Sequence, residues 1–85
     1  MKEFTYTIKD PLGIHARPAG LFVKEMMQFK SAVTITRGDG SSDAKKLLSL
    51  MKLRVKVSET IKVQADGEDE DACIKAAENF LSANL

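Results

Sequence analysis

The first readable pattern is alternation. Over residues 3–8, Phe4, Tyr6 and Ile8 fall on one face and Glu3, Thr5 and Thr7 on the other, the period-two signature of a half-buried strand. Residues 32–37 repeat it with Val33 and Ile35, and Gly38-Asp39-Gly40 then supplies a hairpin turn into a short strand at 41–43. Residues 60–65 alternate again, with Ile61, Val63 and Ala65 inward. Between these segments the period changes. Ala19, Phe22, Val23 and Met26 recur at i, i+3, i+4 and i+7, which predicts a helix over 16–28. A second, short helix is expected near 45–52, carrying Leu47, Leu48, Leu50 and Met51. A third is predicted over 69–83, with Cys73, Ala77, Phe80 and Leu81 on one stripe. Its acidic start, Glu68 to Asp71, suits the positive end of a helix dipole. One stretch fits two readings. Leu53, Val55 and Val57 alternate with Arg54, Lys56 and Ser58, as in a strand, yet a helix end running into a loop fits equally well.

The predicted order is β-α-β-β-α-β-α. Four one-faced strands need a cover on one side, and three one-faced helices need a floor. The expected fold is therefore α+β: an open-faced β-sandwich, with a four-stranded antiparallel sheet and three helices on one face. The whole of residues 1–85 fits one small domain, with no repeat or linker to divide it.

Composition narrows the function classes. Apolar residues make up 44% and charged residues 29% of the chain, which argues against disorder. Thirteen basic and twelve acidic residues nearly cancel, so the balance does not point to a dedicated nucleic-acid binder. The charge is uneven, however. Arg37 to Lys56 carries six positive and two negative side chains, while Asp66 to Asp71 carries five negative ones and none positive. A basic face for an acidic partner is compatible with that asymmetry. The lone Cys73 rules out an internal disulfide and any multi-cysteine metal site, and its place on the apolar stripe assigns it to the core. No apolar run approaches the length of a membrane span, and Met1 to Tyr6 has no signal-peptide core. A soluble, cytoplasmic protein that does not insert into the membrane is expected.

The chemistry concentrates at Gly13-Ile14-His15-Ala16-Arg17-Pro18. His15 is the single histidine, after a turn and immediately before an amphipathic helix. Pro18 suits a first helical turn, where a backbone N–H has no intrahelical partner. His15 therefore stands beside the open N–H groups of a helix N-terminus, a ready anion site. Arg17 adds a planar guanidinium suited to phosphate or carboxylate oxygens. An imidazole beside an anion cradle can act as a nucleophile toward a phosphoryl group. On these residues alone, a helix cap or plain surface histidine remains the commoner reading.

The segment Gly13-Ile14-His15-Ala16-Arg17-Pro18-Ala19 resembles the phosphoryl-histidine signature of the HPr family, the phosphocarriers of the phosphoenolpyruvate-dependent sugar phosphotransferase system. Phe22-Val23-Lys24-Glu25 and Gly67-Glu68-Asp69-Glu70 are similar to the family too, and the similarity spans the chain. The resemblance implies that His15 accepts a phosphoryl group on Nδ1 from phospho-Enzyme I and passes it to a sugar-specific Enzyme IIA. It implies that Ala16 and Arg17 bind the phosphate, and that no cofactor or metal takes part. It also implies a partner surface, to which Gly20, Lys24, Met27, Leu47, Leu48 and Met51 are assigned, with Lys45, Lys46 and Lys52 as a basic rim. Leu50 and Leu53 are assigned to the core. A monomer is expected.

Three positions depart from the family pattern. The serine that a kinase modifies in many relatives is replaced by Lys46, so no regulatory serine is expected here. Glycines common in the family are Arg54 and Ser58, which points to a different loop. The missing serine keeps open an alternative, a carrier of a parallel regulatory or operon-specific phosphotransfer chain. A small binding module for RNA or another acidic ligand is a remote alternative, because the strands lack exposed aromatics for base stacking. A hydrolase is disfavoured, since no serine or cysteine nucleophile stands near His15 in its segment.

Overall fold

The structure, a computed structural model, describes residues Met1–Leu85. The elements run β1 (Lys2–Thr7), α1 (Ala16–Met26), β2 (Ala32–Arg37), β3 (Gly40–Asp43), α2 (Leu47–Lys52), β4 (Thr60–Asp66) and α3 (Glu70–Asn84). The order matches the prediction, with ends shifted by two residues or fewer at all seven elements. The strands form one antiparallel sheet in the order β1-β4-β2-β3. Its register pairs Phe4 with Val63 and Val63 with Ile35, so the inward residues of three strands share one row. Ile8, Val33, Ile35, Ile61, Val63 and Ala65 are buried from the sheet side. Phe22, Met26, Cys73, Ala77, Leu81 and Leu50 meet them from the helices. The Phe22 and Phe80 rings sit 5.4 Å apart between α1 and α3. The opposite sheet face carries Thr5, Thr34, Thr36, Lys62 and Gln64, at positions that alternate with the core residues.

Two local devices set the strands. Gly38 and Asp39 form a two-residue loop between Arg37 and Gly40, with Gly38 at φ +56. A tight hairpin turn needs that positive φ, and glycine provides it without a Cβ penalty. Asp69 precedes α3 but does not cap it with its side chain. Its carboxylate instead accepts hydrogen bonds from the Lys30 and Ser31 backbone N–H groups at 2.8 and 3.0 Å, and from the buried Ser31 hydroxyl. These bonds tie the start of α3 to the entry of β2. The Ser31 hydroxyl, with the two backbone amides, holds the Asp69 carboxyl below its ordinary range.

The ambiguous segment 53–58 is a helix end and a loop. Leu53 caps α2, and Arg54 follows it at φ +50, which breaks the extended path. Leu53 and Val55 are buried, but Val57 is exposed, so the alternation reports core anchoring rather than a ladder. Arg54 and Ser58 adopt positive φ, +50 and +72, the region that glycine favours.

Candidate functional site

The loop that delivers His15 is built from backbone bonds. Beyond β1, the Ile8 N–H donates to Glu59 O at 3.0 Å, and Lys9 and Asp10 donate to Leu85 O at 2.7 and 2.9 Å. Asp10 then closes a turn on itself. Its Oδ1 accepts the Leu12 N–H at 2.8 Å, and its carbonyl accepts the Gly13 N–H at 2.9 Å. Gly13 has φ +69, and a Cβ there would lie 2.3 Å from Val55 O and 2.8 Å from Lys56 Cα. Only glycine lets these backbones approach so closely. Ile14 completes the clamp, with its N–H on Val55 O at 3.0 Å and its side chain in the core. The loop holding Val55 is thus the floor on which the histidine segment rests.

His15 is the N-cap of α1, with φ −114 and ψ 172, and its carbonyl accepts the Ala19 N–H at 3.0 Å. Its side chain makes no cap bond, so the ring is not spent on the helix end. The amides of Ala16 and Arg17, the first two helical residues, have no intrahelical acceptor, and Pro18 has no N–H to offer. Two free amides therefore face outward at the positive end of the helix dipole. No acidic residue occupies the first turn to compete for them. Arg17 is exposed. The imidazole is one-third exposed, with Nε2 3.5 Å from Asp10 Oδ2. A shallow concavity joins His15, Arg17 and Pro18 to Asp10, Leu21 and Asn84. These last three escaped the sequence reading. Asp10 left a trace in the turn Asp10-Pro11-Leu12-Gly13, and Leu21 stands four residues after Arg17 on the exposed side. Asn84 left none, because only the packing of α3 brings it here.

The residues assigned to a partner surface fall into two groups. On α1, Lys24 and Met27 are exposed, and the space beside Gly20 is open. On α2, Leu48 is 78% exposed and Leu47 39%, while Met51 is half-buried and packs against the core. Helices α1 and α2 pack together. Leu50 and Leu53 are buried, as assigned. The basic rim is smaller than expected. Lys45 donates its Nζ to Phe29 O at 2.7 Å and so ties the end of α1 to the approach of α2; Lys24, Lys46 and Lys52 remain exposed.

The family model described as the PTS HPr component phosphorylation site matches residues 2–83. The chain belongs to the HPr family. It is 38% identical to the phosphocarrier protein HPr of Mycoplasma genitalium over 85 residues, covering 99% of this chain and 97% of that protein. It is 35% identical to the phosphocarrier protein HPr of Lysinibacillus sphaericus, with 96% and 93% covered. Among solved structures, a histidine-containing phosphocarrier protein of Mycoplasma superposes with a TM-score of 0.94 at 33% identity, covering 96% of this chain and 93% of that one. An HPr of Thermoanaerobacter tengcongensis superposes at 0.93 with 36% identity, covering 98% and 93%. The HPr fold and the predicted sandwich are one and the same. Within it, this member places Lys46 as the N-cap of α2, with extended backbone and no capping side chain. A hydroxyl would satisfy an open amide there, and an ammonium does not.

Proposed function

We propose that this phosphocarrier of the sugar phosphotransferase system takes its phosphoryl group on Nδ1 of His15. It receives the group from phospho-Enzyme I and passes it to sugar-specific Enzyme IIA proteins. The observation that carries the assignment is the uncommitted ring at the N-cap of α1, next to two free amides and an unpaired guanidinium. Attack by the Nδ1 lone pair forms the new N–P bond as the donor's N–P bond breaks. The anionic oxygens then find the Ala16 and Arg17 amides and the Arg17 side chain. These groups are in place before the transfer, so stabilisation requires little reorganisation. The exposed residues Lys24, Met27, Leu47 and Leu48, with half-buried Gly20 among them and Met51 behind, form the surface against which partners exclude water. The chain works as a monomeric single domain.

Incubation with phosphoenolpyruvate and Enzyme I, followed by intact mass, tests the reading. One phosphoryl adduct is expected, acid-labile and base-stable, and absent from His15→Ala. An adduct that persists in that variant would sink the assignment.

A further inference from the structure

Asp10 stands at the second nitrogen of the proposed nucleophile. Its Oδ2 lies 3.5 Å from His15 Nε2, slightly beyond a formed hydrogen bond. The carboxylate is not free to wander. Its other oxygen holds the Leu12 N–H at 2.8 Å, and the Asp10 backbone is bonded on both sides, through its N–H to Leu85 O at 2.9 Å and through its carbonyl to the Gly13 N–H at 2.9 Å. Three bonds thus aim one carboxylate oxygen at one edge of the ring. Asp10 is three-quarters shielded from solvent and the ring two-thirds shielded. The other groups around this concavity are Arg17, Pro18, Leu21 and Asn84, none of which is an anion.

We propose that Asp10 is a positioning residue for phosphoryl transfer, fixing the His15 tautomer and sheltering the charge that the ring acquires. The inference rests on His15 being the acceptor. A neutral imidazole carries one proton, and the nitrogen that carries it is set by the partner of the other face. A carboxylate beside Nε2 accepts from Nε2–H and leaves the Nδ1 lone pair free. When Nδ1 attacks phosphorus, the N–P bond forms, the donor's N–P bond electrons return to the donor, and the Nε2 proton stays. The product ring is a phosphoimidazolium with one positive charge, now facing Asp10. When the acceptor takes the phosphoryl group, the ring leaves as neutral imidazole with its proton still on Nε2. No base has to remove a proton at either step. The same arrangement opposes the wrong tautomer, in which Nδ1–H would block attack and Nε2 would present a lone pair to a carboxylate.

The decisive substitution is Asp10→Asn. Its amide oxygen can keep the Leu12 N–H bond, so the NH2 turns toward Nε2 and donates to it. The preferred tautomer then inverts. Nitrogen-15 NMR of the unphosphorylated protein, at a pH where the imidazole is neutral, should show Nε2–H dominant in the parent and Nδ1–H increased in the variant. Transfer from phospho-Enzyme I should slow by about fivefold or more, the scale of one contact between unit charges near 4 Å in water. Asp10→Ser, whose hydroxyl can also accept from Leu12 while carrying no charge, should slow transfer without inverting the tautomer. It also decides the matter if the asparagine variant does not fold. Unchanged tautomer or unchanged transfer in the folded asparagine variant overturns the proposal, as does normal transfer in Asp10→Ser. A parent protein that takes no phosphoryl group on His15 defeats the assignment of the acceptor instead, so the two failures are distinguishable.

Discussion

Arg54 and Ser58 hold left-handed backbone that costs a side-chain-bearing residue about 1–2 kcal/mol. Each does so for a local reason. Arg54 follows the C-cap of α2, where the chain must reverse out of the helix. Ser58 is the third residue of the turn closed by the Glu59 N–H on Lys56 O at 3.1 Å, a position that favours positive φ in one common turn type. Around them the loop is fixed by Ile14 and Ile8 through backbone bonds to Val55 and Ser58 at 3.0 and 2.8 Å. The surroundings impose the conformation, and the residue type yields. The strain predicts that Arg54→Gly and Ser58→Gly each stabilise the protein by roughly 0.5–1 kcal/mol, after the entropy that glycine adds to the unfolded chain. A thermal melt should show a rise of a few degrees for each, given about 4–8 °C per kcal/mol at this size. A fall in melting temperature for both would mean that the loop relaxes when the side chains are present. Gly13 marks the limit of this tolerance: positive φ and a backbone 2.3 Å from its Cβ position leave no room for any other residue.

At the scale of elements, α2 shows how a six-residue helix can be amphipathic and still leave apolar residues in water. Leu50 points into the core at 1% exposure, and the turns of the helix then place Leu48 outward. Periodicity in the sequence located the helix and separated Leu50 from its neighbours. Its start was less legible. Residues 45 and 46 fit the helical pattern, but the Asp43 carboxylate accepts the Lys45 N–H at 2.8 Å and holds that residue in a turn. Lys45 was legible as a charge and not as a tie, since its acceptor is a backbone carbonyl sixteen positions away, invisible to residue type. The run 53–58 fitted two readings for a related reason: burial of Leu53 and Val55 imposes alternation whether or not a ladder forms. The exposure of Leu48 supports its place on the partner surface. Leu48→Asp should weaken Enzyme I binding about tenfold, as loss of one apolar anchor of about 1.4 kcal/mol does. Its melting temperature should stay near the parent's, because a surface change rarely exceeds about 0.5 kcal/mol. Titration calorimetry and a melt check the two halves. Leu47→Asp should cost more stability than Leu48→Asp, since Leu47 is half as exposed.

At the scale of the whole molecule, elements close in space are distant in sequence, and that is where residue type alone gave no signal. The site draws on the turn after β1, the start of α1 and the end of α3. The first two adjoin in sequence, so the histidine and its place at the start of α1 were readable; Asn84 and the Leu85 acceptor were not. The long-range ties share a chemistry. Glu59 joins the loop after α2 to the β2 hairpin, accepting from the Lys56 N–H at 2.6 Å and from Arg37 at 2.9 Å. Asp69 joins α3 to β2 through Ser31 and Lys30. The backbone amide of Lys56, then Arg37, holds the Glu59 carboxyl below its ordinary range, and the Ser31 hydroxyl leads the same effect at Asp69. A carboxyl whose folded pKa is depressed binds protons more weakly folded than unfolded. Its contribution is complete above the unfolded value, near 4 for these residues, and is lost as pH falls through the folded value. The melting temperature should therefore hold steady from pH 7 to about 5 and fall below about 4.5. Asp69→Ala should melt lower than the parent at pH 7, because the Ser31 hydroxyl and two amides lose their acceptor. The gap between the two should narrow as pH falls, since the parent's carboxylate is then protonated too. Melts at pH 7, 5, 4 and 3 decide it: a gap that stays constant across that range would show that Asp69 stabilises the fold by shape and not by its charge.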